Sequence, residues 1–231
     1  MIYEVGSLLD KFEGDHFVIV GKGPTQFCYE DLCQFEGPIV FINDSIQFEK
    51  FASRSKARFW FAHDANQSIW GKIKGPSAAV LPISGAFDIN GVAMISHDQI
   101  IRELGIDLSG SGADDTIEIP RQLYGYRWAL DKWLRLGIEG LREVTKVGLS
   151  RNCELFLNSG TIHAAIHFAW LCGAHGIIFI GCDGIQDAGY DRRIALRGNK
   201  LVGKAYGKIR RVQNEMMAAL DLRAEYIGTP R

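Results

Sequence analysis

Short apolar runs recur along the chain, and clusters of turn residues separate them. The runs show little alternation of apolar and polar positions, which is typical of strands buried on both faces of a sheet. A further run that begins at Glu225 predicts a final strand near the end of the chain. The other predicted strands lie at residues 17–20, 39–42, 59–62, 79–83, 154–157 and 177–180.

Segments with helical spacing of apolar residues fall between these strands. Strands that alternate with helices predict right-handed crossovers and a mostly parallel, doubly wound sheet with helices on both faces. We therefore expect an α/β, Rossmann-like fold in which residues 1–231 form a single domain. The predicted helices lie at residues 26–35, 45–56, 97–104, 122–136, 161–172 and 204–222.

Residues 71–121 do not follow this pattern, because loop and turn signals crowd into about fifty positions. They include Gly75-Pro76-Ser77, Asn90-Gly91 and the polar run from Ser109 to Asp115. We expect this stretch to form a lid or insertion at the edge of the sheet.

Composition narrows the functional classes. The chain has 26 Lys and Arg against 27 Asp and Glu, a net charge of -1, so it carries no overall attraction for nucleic acid. No apolar run approaches the roughly eighteen residues of a membrane span, and the first residues lack the pattern of a signal peptide. The five cysteines are odd in number and form no CxxC pair. These features predict a cytoplasmic protein with no transmembrane segment, no nucleic-acid partner and buried, reduced thiols.

A glycine-rich loop follows the first predicted buried strand. Gly21-Lys22-Gly23-Pro24 leads from this strand toward a predicted helix, as in loops that bind phosphate. Gly21 and Gly23 would let the backbone approach a ligand, and Pro24 suits a first helical turn. The alternative is a plain tight turn.

Polar residues follow the next two strands. Asn43-Asp44-Ser45 and His63-Asp64 occupy these positions, and the carboxyl ends of parallel strands share one edge of a sheet. We therefore expect them to border a crevice. Asp44, Ser45, His63 and Asp64 are equally suited to capping the segments that follow them.

A second candidate anion site lies in the later half of the chain. Ser159 and Gly160 precede an apolar helix, whose first N–H groups are free to bind an anion. Asp183 follows the next strand, where a carboxylate can accept hydrogen bonds from a ribose or a metal-bound water.

These motifs together resemble the motility accessory factor group, also called the domain of unknown function 115 family. That family is similar in turn to bacterial sialyltransferases. The resemblance covers roughly residues 17–66 and 153–190, and it is carried by Gly21-Lys22-Gly23-Pro24, Asn43-Asp44-Ser45, residues 158–174 and residues 178–183. It implies a glycosyltransferase of polysaccharide biosynthesis that transfers a nonulosonic acid, such as sialic acid, from a CMP-activated donor to a hydroxyl of a glycan or protein.

The resemblance also implies roles for individual residues. The asparagine near the cytidine monophosphate corresponds to Asn43, the acidic residue after the strand to Asp183, and a tyrosine near the donor phosphate to Tyr190. The donor-phosphate loop corresponds to Gly21, Gly23 and Pro24, and the helix start that holds the nucleotide corresponds to Ser159 and Gly160.

The catalytic base departs from the family pattern. The sialyltransferases use a histidine beyond the tyrosine, whereas this chain has no histidine after His175. His63, at a predicted strand end, is the candidate base, and an ordinary surface or capping histidine is the alternative. His163 and His167 are four residues apart without the glutamate of an HExxH motif, so we expect them to pack in the core.

Residues 191–211 carry eight Lys or Arg and one acid. Part of this run predicts a helix whose solvated face holds Lys204, Lys208 and Arg211, opposite an apolar stripe. The preceding loop would bring Arg193, or its neighbours Arg192 and Arg197, onto a phosphate or sugar carboxylate.

Two other functions remain open at this point. Some archaeal members of the family are 6-hydroxymethylpterin diphosphokinases, which use ATP and magnesium. In that case Asp183, Asp187, Asp44 or Asp64 would hold the metal. The chain could also be a nucleotide-binding module without turnover. The glycosyltransferase interpretation requires no metal and no cofactor beyond the donor substrate, and the sequence leaves open whether the chain is a homo-oligomer.

Overall fold

The computed structural model describes residues 2–61, 78–82, 123–128, 137–143, 154–156, 160–182 and 203–228. Within these ranges nine strands form one sheet. They are β1 Ile2–Glu4, β2 His16–Val20, β3 Ile39–Ile42, β4 Arg58–Phe61, β5 Ala78–Pro82, β6 Leu123–Trp128, β7 Glu154–Leu155, β8 Gly176–Ile180 and β9 Arg223–Ile227.

Every strand pair in the described part of the sheet is parallel. The strand order is β1-β6-β5-β4-β3-β2-β8-β9, and β7 pairs with the carboxyl half of β6. From β2 the chain therefore steps outward to β6 and then returns to place β8 on the opposite side of β2. This arrangement confirms the predicted α/β fold and puts a topological switch point between β2 and β8.

Three α-helices and four 3₁₀ segments lie in the described ranges. The helix α2 packs against β2, β3 and α3. The helices are α1 Gly140–Glu143, α2 Thr161–Leu171 and α3 Gly203–Ala219, and the 3₁₀ segments are Val5–Leu8, Tyr29–Gln34, Asn43–Phe51 and Gly137–Glu139.

Both faces of the central strands are buried, as the uninterrupted apolar runs predict. Successive side chains on a strand point to opposite faces. Phe17 and Ile19 of β2 join the core cluster that contains α2 and α3. Trp60 of β4 lies on the opposite face, where its indole Nε1 donates to Asn43 O at the start of a 3₁₀ segment (2.9 Å).

Phe168 of α2 lies at the centre of this core cluster. Its ring meets the rings of Phe17, Phe59 and Phe61 edge-on, with centroids 6.4, 5.0 and 5.4 Å away. One aromatic side chain thus joins α2 to three neighbouring positions on β2 and β4, and it is fully buried.

Some predictions of secondary structure are wrong. Residues 123–128, predicted as the start of a helix, form β6, because its aromatic residues suit a position between two strands. The segments predicted as helices from residues 26 and 45 form 3₁₀ turns instead. Residues 78–82 form β5 and pair with β4 and β6, which confirms the strand predicted at 79–83 but corrects the expectation that these residues belong to a lid. The rest of residues 71–121, and the predicted helix at 97–104, lie outside the described residues.

The described cysteines are all free thiols, but they differ in exposure. Cys172 and Cys182 are buried as expected. Cys28, just before the 3₁₀ segment Tyr29–Gln34, and Cys33, within it, are exposed, so the prediction of burial is wrong for both. Among the described helices, none has the length and apolar character needed to cross a membrane.

We expect Phe168→Ala to lower the free energy of unfolding by about 3–5 kcal/mol, because the deletion leaves a cavity among three rings. Chemical denaturation measures the change. Lys208→Ala, at an exposed position of α3, is the control and should change the free energy of unfolding by less than about 0.5 kcal/mol. Equal effects of the two substitutions would contradict the central position of Phe168.

Candidate functional site

The switch point between β2 and β8 opens at the carboxyl edge of the sheet. In open α/β sheets, ligands bind in the crevice outside this edge, at the position where the strand order reverses. The backbone that borders it here comes from the loop after β2, from Asn43 after β3 and from Gly181 and Cys182 after β8.

The glycine loop crosses the end of β8 and reaches the end of β9. Gly21 N–H donates to Ile180 O and Gly23 N–H donates to Gly181 O, both at 2.8 Å. At the far end of the loop, Gln26 N–H and the Thr25 hydroxyl donate to Gly228 O at 2.6 and 2.8 Å. The loop is therefore held at both ends by backbone hydrogen bonds.

Glycines make this crossing possible. A Cβ on Gly21 would lie 2.6 Å from Cys182 Sγ, closer than side-chain atoms approach. Gly181 has a φ of +60°, and a Cβ there would lie 2.7 Å from Gly23 O. The loop backbone thus packs directly on the backbone of Gly181 and on the Cys182 side chain.

This geometry corrects the expected phosphate loop. The N–H groups of Gly21 and Gly23 are occupied by β8 rather than exposed to a ligand. Pro24 begins no helix, since the chain stays irregular until the 3₁₀ segment starts at Tyr29. The loop shapes the floor of the crevice, and the dipole of a following helix does not act there.

Asn43 and Ser45 form the adjacent border of the crevice. Asn43 is 3% exposed and adopts a φ of +50°, a left-handed conformation that asparagine tolerates. The Ser45 hydroxyl donates to Val20 O (2.7 Å) and accepts from Ile42 N–H (2.9 Å). Ser45 therefore ties the end of β3 to β2. Its bond to Ile42 N–H is also the capping-box contact at the start of the 3₁₀ segment, so Ser45 contributes to capping that segment, from its third position.

The N-terminus of α2 lies at the same edge. This helix packs on β2 and β3 and runs back toward the amino ends of the strands, since its last turn meets the start of β2 through Asp10 and Phe12. Gly160, rather than the expected Ser159 or Thr161, is the N-cap residue; its backbone is extended and it makes no side-chain cap bond. A Cβ on Gly160 would lie 3.4 Å from Ile209 Cδ1 of α3, so α3 also borders this corner.

The two histidines of α2 are fully buried, as expected for core residues. His163 Nε2 lies 3.1 Å from Ile209 O of α3. Burial lowers the pKa of His163 to about 4, so the ring is neutral at pH 7 and its Nε2–H donates to that carbonyl. His167 Nδ1 accepts from Phe156 N–H at 2.8 Å. Both rings join α2 to its neighbours.

Half of the predicted site residues fall in described parts of the chain, and all of these lie at the carboxyl edge: Gly21, Gly23, Pro24, Asn43 and Gly160. His63, Ser159, Asp183, Tyr190 and Arg193 lie outside the described residues. Over the described ranges, His, Cys, Asp and Glu form no group of three or more that could hold a metal ion.

The sequence did not reveal a polar group that lies between α3 and β9. Arg210 and Gln213 of α3 lie against Tyr226 of β9. The basic run pointed to Arg210 without showing where its side chain goes, and Gln213 carried no signal because helical spacing alone does not distinguish a buried glutamine from an exposed one.

Comparisons with known proteins identify no relative. The chain matches no family model, no curated protein and no solved structure. The resemblance to the motility accessory factor group therefore stays a prediction, and the function is proposed from the site itself.

We expect Gly21→Ala to destabilise the protein by about 1–3 kcal/mol, because the added methyl group forces the loop away from β8. Gly160→Ala is the matched control at the same edge, where the methyl group meets only the flexible end of Ile209. Thermal unfolding compares the two. A Gly21→Ala variant as stable as Gly160→Ala would contradict the backbone contact.

We expect acid to destabilise the protein through His163. The folded pKa is about 4, below the ordinary value near 6.5, so the unfolded chain binds more protons between these pH values. The free energy of unfolding should fall as pH falls from 6.5 to 4, by roughly 3 kcal/mol from this group. His163→Gln keeps a donor for Ile209 O but does not titrate, and urea unfolding should show a shallower pH dependence. Equal slopes would contradict a buried neutral ring.

Proposed function

We propose that this chain is a glycosyltransferase that binds a CMP-activated nonulosonic acid in the switch-point crevice and transfers the sugar to a hydroxyl of a glycan or protein. The observation that carries the proposal is the convergence of the glycine loop, Asn43 and the uncapped N-terminus of α2 on the carboxyl edge between β2 and β8. This is the place where α/β folds bind nucleotides.

The N-terminus of α2 is suited to the donor phosphate. The N–H groups that open a helix have no partner one turn earlier, and the helix dipole favours an anion at this end. His163 N–H donates to Gly160 O at 3.0 Å, so the N–H groups of Thr161 and Ile162 are the ones proposed to bind the phosphate. The Gly160 N-cap brings no side chain that would compete for these groups. The position of Asn43, buried at the end of β3, is compatible with contact to the cytidine or its ribose. In this proposal Ser159 and Asp183 complete the nucleotide site.

The reaction needs a base and a stabilised leaving group. The acceptor hydroxyl attacks the anomeric carbon, the bond from that carbon to the phosphate oxygen breaks, and CMP leaves with the electron pair. His63 is the proposed base for the hydroxyl proton, and Tyr190 and Arg193 are proposed to stabilise the departing phosphate.

The first test is a thermal-shift panel of CMP, CDP, UDP, GDP and ATP, each with and without magnesium. We expect CMP to raise the melting temperature without magnesium, since a ligand at a hundred times its dissociation constant adds about 2.7 kcal/mol of stability. A shift that requires ATP and magnesium would replace this proposal with diphosphokinase chemistry. If CMP binds but the protein releases no CMP from a CMP-nonulosonate in the presence of acceptors, the chain is a non-catalytic module.

Asn43→Gly tests the assigned nucleoside contact. Glycine keeps the positive φ and the carbonyl that Trp60 uses, so the variant removes only the side chain. Asp221→Gly is the matched control, because Asp221 also has a positive φ (53°) but lies between α3 and β9 at the amino edge. We expect about tenfold weaker CMP binding for Asn43→Gly alone, measured by calorimetry. Equal affinities would remove Asn43 from the site.

A further inference from the structure

Arg210 on α3 places a positive charge against Tyr226 of β9, and its Nη1 atom has no hydrogen-bond partner among the described residues. Its guanidinium lies over the ring of Tyr226, 3.7 Å from the centroid. The Nη1 atom is buried and donates no hydrogen bond. Its neighbour Arg211, in contrast, is exposed and pairs with Glu215 at 3.7 Å.

Gln213 lies one helical turn further along α3, and there the unsatisfied atom is an acceptor rather than a donor. It is fully buried, and its Nε2 donates to the Tyr226 hydroxyl at 2.9 Å. The Tyr226 hydroxyl in turn donates to Asn214 Oδ1 at 3.4 Å. The Gln213 Oε1 atom is buried and accepts no hydrogen bond.

Such groups are costly to bury unless something pairs with them. A desolvated guanidinium donor and a desolvated amide oxygen each lose the hydrogen bonds they make in water. Folded proteins satisfy the great majority of such atoms, and each exception has a specific cause, such as a catalytic role or a bound water or ion. Two of them, three residues apart on one helix and tied to one tyrosine, point to a bound molecule that accepts from Arg210 and donates to Gln213.

Contacts of neighbouring residues link this pair to the crevice. Ile209, next to Arg210, touches Gly160 at the N-terminus of α2 and accepts from His163. On the other side, Tyr226 is two residues before Gly228, which receives the far end of the glycine loop. Arg210 is thus adjacent in the chain to the residue that joins α3 to α2, and Tyr226 is close in the chain to the residue that receives the loop.

We propose that Arg210 and Gln213 form the subsite for a phosphate group and an adjacent hydroxyl of the ligand in this crevice. The proposal rests on the function proposed above and extends it, since it assigns the donor phosphate to α3 as well as to α2. The planar guanidinium, held over Tyr226, presents Nη1 to a phosphate oxygen. Gln213 Oε1 accepts from a hydroxyl carried by the same ligand, as a sugar or ribose phosphate provides.

The experiment measures binding of inorganic pyrophosphate and of CMP to the full chain by calorimetry. Arg210→Met keeps apolar contact with Tyr226 and removes the charge, and Arg211→Met is the matched control on the exposed face. We expect Arg210→Met to weaken both ligands by about tenfold or more, and Arg211→Met to change them less than twofold. Gln213→Leu should weaken CMP, which carries hydroxyls, and leave pyrophosphate within about twofold.

The outcomes separate the two proposals. If CMP binds and Arg210→Met has no effect beyond that of Arg211→Met, this inference is wrong and the proposed function stands. If pyrophosphate binds through Arg210 but no nucleotide binds, the anion subsite stands and the nucleotide donor is wrong. Failure of the wild-type chain to bind pyrophosphate and CMP overturns both. Thermal unfolding without ligand verifies folding, and Arg210→Lys, with about threefold or greater weakening expected, replaces Arg210→Met if that variant does not fold.

Discussion

The backbone contact between the glycine loop and the end of β8 is the constraint on which the candidate site depends. Parallel strands β2 and β8 belong to different halves of the chain, and they meet at the point where the strand order reverses. Gly21 and Gly181 let their ends approach without side chains, and two backbone hydrogen bonds hold them. This contact brings the residues after β2 close to those after β8 and so defines the crevice.

The helices place polar groups around that crevice through buried contacts rather than through surface charge. Neutral His163 joins α2 to α3 at Ile209 O, and Gly160 packs on the side chain of the same residue. The N-terminus of α2 and the Arg210 side chain are therefore positioned by one helix–helix junction. A phosphate bound there would meet an uncapped helix end and a guanidinium whose stacking on Tyr226 already restricts its rotamers.

The apolar runs were a sound guide to the sheet, because strands buried on both faces need uninterrupted hydrophobic residues. The apolar runs did not predict the strand β6, which lies toward one edge of the sheet. β6 contains a glycine, an arginine and three aromatic residues, and such a segment has no clear period until neighbouring strands surround it. The connections after β2 and β3 contain 3₁₀ segments of six and nine residues where longer helices were predicted. After β3, Trp60 donates to Asn43 O and the Ser45 hydroxyl donates to Val20 O, and a local sequence pattern does not reveal such contacts with other segments.

The sequence by itself determined the fold class, the central parallel strands, α2 and α3, and the presence of glycines after β2. Each of these follows from local composition and period, which one segment carries alone. Only the tertiary structure decided that the N–H groups of Gly21 and Gly23 bind β8, that Ser45 bonds backward to β2, and that Arg210 and Gln213 turn onto Tyr226. These are contacts between segments far apart in the chain, and the direction of a side chain depends on what packs beside it.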